Sequence, residues 1–203
     1  MAFWGAPQDV ADHALRACKA ALKCQARLAE LREDWSAAGC PQIHARIGIN
    51  TGEVVVGNIG SEQRMNYTVI GDSVNVASRL EGECKGFKLD ILIGQRTREL
   101  AGTAIVARPL GRLAVRGKED AILVYALVAL RDEATPVQLK AEALGEEAIA
   151  AYLARDFRPA AAACRKLLKL LPGDVSATEL LARARDAAKS PVPHRGEALL
   201  TND

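Results

Sequence analysis

The stretch Thr68–Glu81, TVIGDSVNVASRLE, decides the fold. Its β-branched start predicts a strand, the Gly-Asp pair predicts a turn, and a helix is expected to open at Ser73, a residue type that favours the N-cap. Asn75 and Arg79 follow four residues apart on this helix, so they share one face and can reach one ligand. Taken alone, their spacing favours a surface ion pair of Arg79 with Glu83 and a polar helix start at Asn75, which leaves open what an amide and a guanidinium side by side could hold.

The segments around this stretch alternate between strands and helices, which predicts an α/β or α+β fold for residues 1–130. The turn at Thr51-Gly52 predicts that the first two strands pair as a hairpin, and a polar loop is expected over Gly60–Met65. The predicted strands are Ile43–Asn50, Glu53–Ile59, Asn66–Ile70, Leu89–Ile93, Ala104–Val115 and Ile122–Leu130. The predicted helices are Val10–Ala37, Ser73–Glu81 and Gln95–Leu100.

The composition changes at Arg131–Pro136, and the chain beyond it is rich in Ala and Leu. The helices predicted there are Glu142–Arg155, Pro159–Leu171 and Val175–Lys189. Their spacing is typical of a tetratricopeptide unit of about 34 residues, although only about one and a half units fit. We expect a linker over 131–140, a small all-α, tetratricopeptide-like hairpin over 141–189, and a disordered tail over 190–203. The hairpin is expected to pack on its own domain or to mediate self-association.

The overall composition excludes several classes of protein. The chain has 203 residues and a formal net charge of +2, without the basic excess typical of nucleic-acid binders. Its five cysteines are scattered and its three histidines are dispersed, which favours free thiols in a reducing compartment over disulfides or a zinc site. No apolar run approaches the ~20 residues of a membrane span. The sequence predicts a soluble, cytoplasmic chain and leaves open a membrane anchor in a longer parent.

Two segments together resemble the catalytic domain of class III adenylyl and guanylyl cyclases. They are ARIGINTGEVVVGNIGSEQRMNYTVIGDSVNVASRLEG (Ala45–Gly82) and LAVRGKEDAILVYAL (Leu113–Leu127). The resemblance covers roughly Met1–Leu130 and implies a ferredoxin-like nucleotide cyclase fold. It also implies the family's reaction, in which ATP is converted to 3′,5′-cyclic AMP and pyrophosphate during intracellular signalling.

The resemblance assigns roles to the residues of the opening stretch. Asn75 would hydrogen-bond the ribose, and Arg79 would stabilise the charge that builds on the α-phosphate. Thr68 matches the position that contacts the purine, where its hydroxyl favours ATP, while guanylate cyclase activity stays an alternative. Taken alone, each residue also has a purely structural interpretation. Arg79 fits a surface ion pair with Glu83. Asn75 fits a polar residue at a helix start, and Thr68 fits a strand residue without a ligand.

Three further basic residues match positions that contact the triphosphate. Arg46 matches a residue that grips it from the partner half of the site. Arg116 stands where the family usually has Lys, and Lys118 is the alternative in the same turn. Without a ligand, these residues fit solvated charges on a strand edge and a turn. Asp72 matches a turn residue that complements the helix dipole rather than a metal ligand.

The resemblance places the family's two metal-binding aspartates upstream of Met1. It implies two Mg²⁺ or Mn²⁺ ions in an intact enzyme, which this chain's own residues do not hold. The apolar start MAFWGAP is typical of the end of a buried strand. We therefore expect a cyclase domain that is truncated at its N-terminus and inactive alone.

Three functional hypotheses follow. The first is the C-terminal portion of an ATP-directed cyclase domain, whose site forms in a homodimer or in a heterodimer with a full-length cyclase. The second is a non-catalytic cyclase-homology subunit that modulates an intact cyclase by dimerisation. The third is a helical protein-interaction module at Glu142–Lys189.

Overall fold

The computed structural model describes residues 1–61, 63–113 and 121–189. The strands are β1 (Ile47–Ile49), β2 (Val55–Ser61), β3 (Arg64–Ile70), β4 (Ile91–Gly94), β5 (Ile105–Leu113) and β6 (Ile122–Leu130). The helices are α1 (His13–Ala37), α2 (Asp72–Phe87), α3 (Gln95–Ala101), α4 (Pro136–Leu153), α5 (Phe157–Leu170) and α6 (Val175–Ala187). The mixed α+β class predicted from the sequence is confirmed.

The main sheet has the strand order β1-β4-β6-β5. Strand β1 runs parallel to β4, whereas β6 is antiparallel to both β4 and β5. Successive side chains of β4 point to opposite faces, as a strand requires. Ile91 and Ile93 pack in a core with α1 and α3, while Leu92 packs in a core with α2 and α4–α6. Helices therefore cover both faces of the sheet.

The predicted hairpin between Ile43–Asn50 and Glu53–Ile59 is wrong. Strand β1 is short and pairs with β4, and β2 pairs with β3 in an antiparallel sheet of its own. The predicted polar loop over Gly60–Met65 is also wrong, because β2 and β3 continue to a pairing of Ser61 with Arg64. Periodicity located these strands, but it carries no information on which strand lies beside which.

The predicted linker over 131–140 is partly helical, because α4 begins at Pro136 rather than at Glu142. Thr135 and Gln138 form a capping box, in which the Gln138 N–H donates to Thr135 Oγ1 and the Thr135 N–H donates to Gln138 Oε1. Proline in the first helical turn costs no hydrogen bond. The tail predicted over 190–203 lies outside the described residues.

Helices α4–α6 pack on the main sheet, which is one of the two arrangements expected from the sequence. Buried side chains of all three helices share one core with α2, β4, β5 and β6. A smaller cluster of Ala141, Leu144, Leu167 and Ala177 holds the three helices together. The tetratricopeptide-like character of this segment stays a prediction.

Candidate functional site

Helix α2 begins one residue earlier than predicted, and Ser73 is not its N-cap. The N-cap is Gly71, with a φ of 152° and no side-chain capping bond, so the chain turns sharply from β3 into the helix. Asn50, just beyond β1, fixes the helix start because its Nδ2 donates to the Ser73 carbonyl oxygen at 3.2 Å. At Gly48, an added Cβ would overlap the Ala77 carbonyl oxygen, so glycine allows α2 to lie directly on β1.

Asn75 and Arg79 lie in consecutive turns of α2, and both are exposed. The helix is anchored by a separate buried stripe of Val76, Leu80, Cys84 and Phe87. Within the described ranges, neither Asn75 nor Arg79 has a side-chain hydrogen bond or an ion pair. Arg79 thus does not form the surface ion pair that its spacing from Glu83 allowed. One amide and one guanidinium are free to bind a ligand on the same side of the helix.

Thr68 lies on β3 opposite Gly57 of β2, and its side chain is half-buried. Its neighbour Val69 points to the other face of the strand and is buried. Only Gly71 separates the end of β3 from the start of α2, so Thr68 and the two α2 residues belong to one continuous segment. The structure gives the Thr68 hydroxyl no hydrogen-bond partner among the described residues.

Arg46 lies immediately before β1 and reaches α2. Its Nε donates to Glu81 Oε1 at 3.2 Å, and the two side chains are 42% and 45% exposed. An ion pair this exposed contributes about 0–1 kcal/mol, so a phosphate group could replace the carboxylate at little cost. Arg116 and Lys118, the other predicted triphosphate contacts, lie outside the described residues.

A divalent metal needs several carboxylate, imidazole or thiolate side chains that lie close together. Across residues 1–61, 63–113 and 121–189, no three His, Cys, Asp or Glu side chains are grouped so that they could hold an ion. The described residues therefore supply no group that fits the metal pair implied by the sequence resemblance. Asp72 lies in the first turn of α2, where its charge complements the helix dipole.

The buried cysteines do not add a nucleophile to the site. Burial raises the pKa of the Cys84 thiol on α2 to about 11, against the opposing effect of hydrogen bonds with the backbone of Leu92 and Ile47. The same cause raises the pKa of Cys18 to about 12 and of Cys164 to about 11. These thiols stay protonated at neutral pH and act as small apolar side chains.

Sequence reasoning missed the residues that hold the site in place. Asn50 anchors the start of α2, and the hydroxyls of Thr51 and Thr97 lie 2.9 Å apart, which joins the loop after β1 to α3. The sequence signal for these two contacts is Asn-Thr-Gly at 50–52, at the end of a strand in which polar and apolar residues alternate. Polar side chains at such a strand end often fix the next element.

Comparison with known proteins identifies the family of the first part of the chain. The family model described as the adenylate and guanylate cyclase catalytic domain matches residues 1–129. Adenylate cyclase 1 of Rhizobium meliloti is 38% identical over 127 residues, which are 63% of this chain and 19% of that protein. Soluble guanylate cyclase 89Da of Drosophila melanogaster is 33% identical over 122 residues, which are 59% of this chain and 17% of that protein.

A solved structure extends the likeness to three dimensions. The crystal structure of the adenylyl cyclase CyaB from P. aeruginosa matches with a TM-score of 0.57 and 34% identity, covering 65% of this chain and 68% of that one. The chain belongs to the adenylate and guanylate cyclase catalytic domain family. It spans less than a fifth of the length of the two curated relatives, and α4–α6 lie beyond the matched residues. No helix in the described part of the chain is both long and apolar enough to cross a membrane.

Proposed function

We propose that this chain supplies the ribose- and phosphate-binding half of an adenylate cyclase site, which converts ATP to 3′,5′-cyclic AMP and pyrophosphate. The observation that carries the proposal is the pair Asn75 and Arg79. Both side chains are exposed on one side of α2 and have no partner among the described residues. The relatives of this chain include adenylate cyclases.

The two side chains suit the two demands of this reaction. The ribose 3′-oxygen forms a bond to the α-phosphorus, and the bond from that phosphorus to the pyrophosphate oxygen breaks. Negative charge builds on the α-phosphate, and a guanidinium offsets it with charge and with a fork of N–H donors. A neutral amide can hold the ribose oxygen at its angle of attack. Arg79 takes the first role and Asn75 the second.

Thr68 is the proposed contact with the purine. Its unpartnered hydroxyl can accept a hydrogen bond from the adenine amino group, which favours ATP. Guanylate cyclase activity is the alternative, because relatives of both kinds match the chain. Arg46, together with Arg116 or Lys118, would contact the triphosphate.

The proposed site is completed by a second protomer, either another copy of this chain or a full-length cyclase. Mg²⁺ or Mn²⁺ would be held by carboxylates outside the described residues, so the chain is proposed to be inactive alone. The β2–β3 hairpin suits a protein partner, since large apolar side chains on both of its faces are about half exposed or more. They are Val55, Met65, Tyr67 and Ile70. The free cysteines suit a reducing compartment, and we propose a cytoplasmic location.

A titration of the ¹⁵N-labelled chain with ATP and Mg²⁺, followed by NMR, tests the proposal. A half-site binds weakly, and NMR detects dissociation constants up to the millimolar range. We expect shifts of the amides of α2 and of Thr68, which are lost in Asn75→Ala/Arg79→Ala. Shifts that persist in this double variant, or an absence of shifts at α2, would contradict the assignment.

A second candidate is a non-catalytic subunit that modulates an intact cyclase. The exposed apolar side chains of the β2–β3 hairpin favour it, because they offer a surface for a related protomer. Co-expression with a full-length relative tests this idea. Unchanged cyclic nucleotide output in the presence of the chain would rule it out.

A further inference from the structure

Helices α4–α6 lie beyond the part of the chain that matches the cyclase family, yet they are built into the domain. We propose that these helices hold α2 in place, so that the extension is a positioning module for Asn75 and Arg79. The buried ion pair between Arg108 and Asp174 is its central contact. The catalytic part of this inference rests on the proposed function, whereas the structural coupling does not.

Helix α2 and the extension share one buried core. The buried stripe of α2 packs in one cluster with side chains of all three extension helices, and α2 touches α6 directly. The same stripe also lies against β1, because a Cβ added at Gly48 would be 3.0 Å from Leu80 Cβ, and Cys84 Sγ lies 3.7 Å from the Ile47 carbonyl oxygen. The sheet and the extension thus hold the helix together. The residues of α6 in this cluster are Leu180, Leu181 and Ala184.

A buried ion pair joins β5 to the start of α6. Arg108 is 4% exposed, and its two Nη atoms donate to Asp174 Oδ2 at 2.5 Å and to Ser176 Oγ at 2.9 Å. Asp174 also caps α6 by accepting from the Ala177 N–H at 2.8 Å. A buried guanidinium that loses its carboxylate is strongly unfavourable, so this contact fixes where α6 sits.

A second buried contact, made by Glu142, fixes α4 on β5. Glu142 is 5% exposed and accepts hydrogen bonds from Arg131 Nη1 at 2.6 Å and from the Ala107 N–H of β5 at 2.9 Å. Gly145, one turn further on, lets α4 approach β5, because an added Cβ would lie 2.7 Å from Arg108 Cγ. Both contacts lead to adjacent residues of β5. The two buried charged side chains, Arg108 and Glu142, therefore fix the extension on β5, as a flexible linker would not.

Amide hydrogen exchange of the full chain tests the coupling without nucleotide. Asp174→Asn removes the charge but keeps an N-cap, since Asn caps helices as well as Asp. We expect amide exchange in α2 and α4–α6 to rise together by about tenfold or more, while α1, which packs on the opposite face of the sheet, keeps its protection. Asp156→Asn is the matched control, because Asp156 precedes α5 without a side-chain capping bond and is exposed.

Gly145→Ala serves as a milder second variant if Asp174→Asn does not fold, because it displaces Arg108 without removing a charge. Arg108→Lys keeps the positive charge but loses the paired N–H donors of the guanidinium. Its amide exchange rate in α2 is therefore expected to lie between those of wild type and Asp174→Asn. Unchanged exchange in α2 while α4–α6 loosen would overturn the proposal. An equal rise throughout the chain, α1 included, would also overturn it, since that is global destabilisation.

A second readout separates this inference from the proposed function. In the ATP titration, Asp174→Asn should weaken the apparent affinity by about threefold to tenfold and Asp156→Asn should not, because the loss comes from misplaced α2 side chains. If wild type shows no ATP response but α2 exchange still depends on Asp174, the coupling holds and the proposed function fails. An ATP affinity unchanged in Asp174→Asn, with α2 loosened, would refute the positioning role.

Discussion

Arg79 has a guanidinium that the structure leaves exposed and, among the described residues, without an ion pair. An arginine that served the fold would be expected to resemble Arg108, which is buried against a carboxylate. Arg46 lies between these extremes, since its partner Glu81 is itself nearly half exposed. The availability of the side chain, rather than its residue type, distinguishes a binding arginine from a structural one.

Substitution of Arg79 should remove activity in a mixed dimer with a metal-competent cyclase protomer. Arg79→Ala is expected to lower the turnover number by about 100-fold to 1,000-fold, the usual loss when one group that stabilises transition-state charge is removed. Cyclic AMP formation by the mixture is the measurement. Arg27→Ala is the control, because exposed Glu30 on α1 is the only ion-pair partner of Arg27 among the described residues. Equal rates for the two variants would exclude the role of Arg79.

Substitution of Thr68 should change the choice of nucleotide more than the rate. Thr68→Ala removes one neutral hydrogen bond to adenine, so the preference for ATP over GTP should fall by about twofold to tenfold. Competition between the two nucleotides in the mixed dimer measures the ratio. Thr68→Ser keeps the hydroxyl and should keep the preference. A ratio unchanged in Thr68→Ala would remove Thr68 from the specificity contact.

The sequence predicted the shared face of Asn75 and Arg79, because helical spacing alone sets it. It did not predict that Asn50 anchors the start of α2, since that contact joins residues 23 positions apart. It also missed the pairing of Arg46 with Glu81 for the same reason. Local geometry follows from local sequence, whereas a contact across the fold depends on which elements meet.

At the scale of elements, α2 is the part on which the site depends. It lies against β1, contacts α6 and carries two of the proposed site residues. Sequence patterns located nearly every element but gave β1 the wrong neighbour, because β1 pairs with β4 across an intervening hairpin and helix. The start of α4 was missed because the Thr135–Gln138 capping box was not recognised as a helix signal.

Two glycine substitutions test how α2 packs. Gly48→Ala places a methyl group against the backbone of Ala77, so we expect the free energy of unfolding to fall by about 1–3 kcal/mol or more. Gly82→Ala is the matched control within α2, where no atom lies within 4 Å of an added Cβ. It should raise stability by about 0.5–1 kcal/mol through helix propensity. Denaturant unfolding measures both, and a tolerated Gly48→Ala would contradict the packing.

Across the described molecule, helices cover both faces of the main sheet, and the thiols report on that arrangement. Cys18 lies in the core with α1, Cys84 and Cys164 lie in the core with α2 and α5, and all three are buried. Cys24 and Cys40 are exposed. At neutral pH a thiol-specific reagent should modify Cys24 and Cys40 in the native chain and the other three only after unfolding. Rapid native labelling of Cys84 would show that the α2 core is open.

The three buried thiols, Cys18, Cys84 and Cys164, make the stability of the protein depend on pH. Their folded pKa values of about 11 to 12 exceed the ordinary value of 9.0, so the unfolded chain loses these protons first. Their stabilising effect is full below about pH 9 and is lost as pH rises through the folded pKa values. Urea unfolding between pH 8 and pH 11 should show falling stability, and Cys84→Ala/Cys164→Ala should show a shallower fall. An identical slope in this variant would contradict the burial argument.

We propose that this chain contributes one half of a cyclase site, and a reconstitution assay measures that contribution. The chain is mixed with an intact family cyclase whose own residues equivalent to Asn75 and Arg79 have been replaced. We expect that neither protein alone forms cyclic AMP from ATP, that the mixture does, and that activity saturates at an equimolar ratio. A mixture that is as inactive as its components, or activity unchanged by Asn75→Ala/Arg79→Ala in this chain, would contradict it.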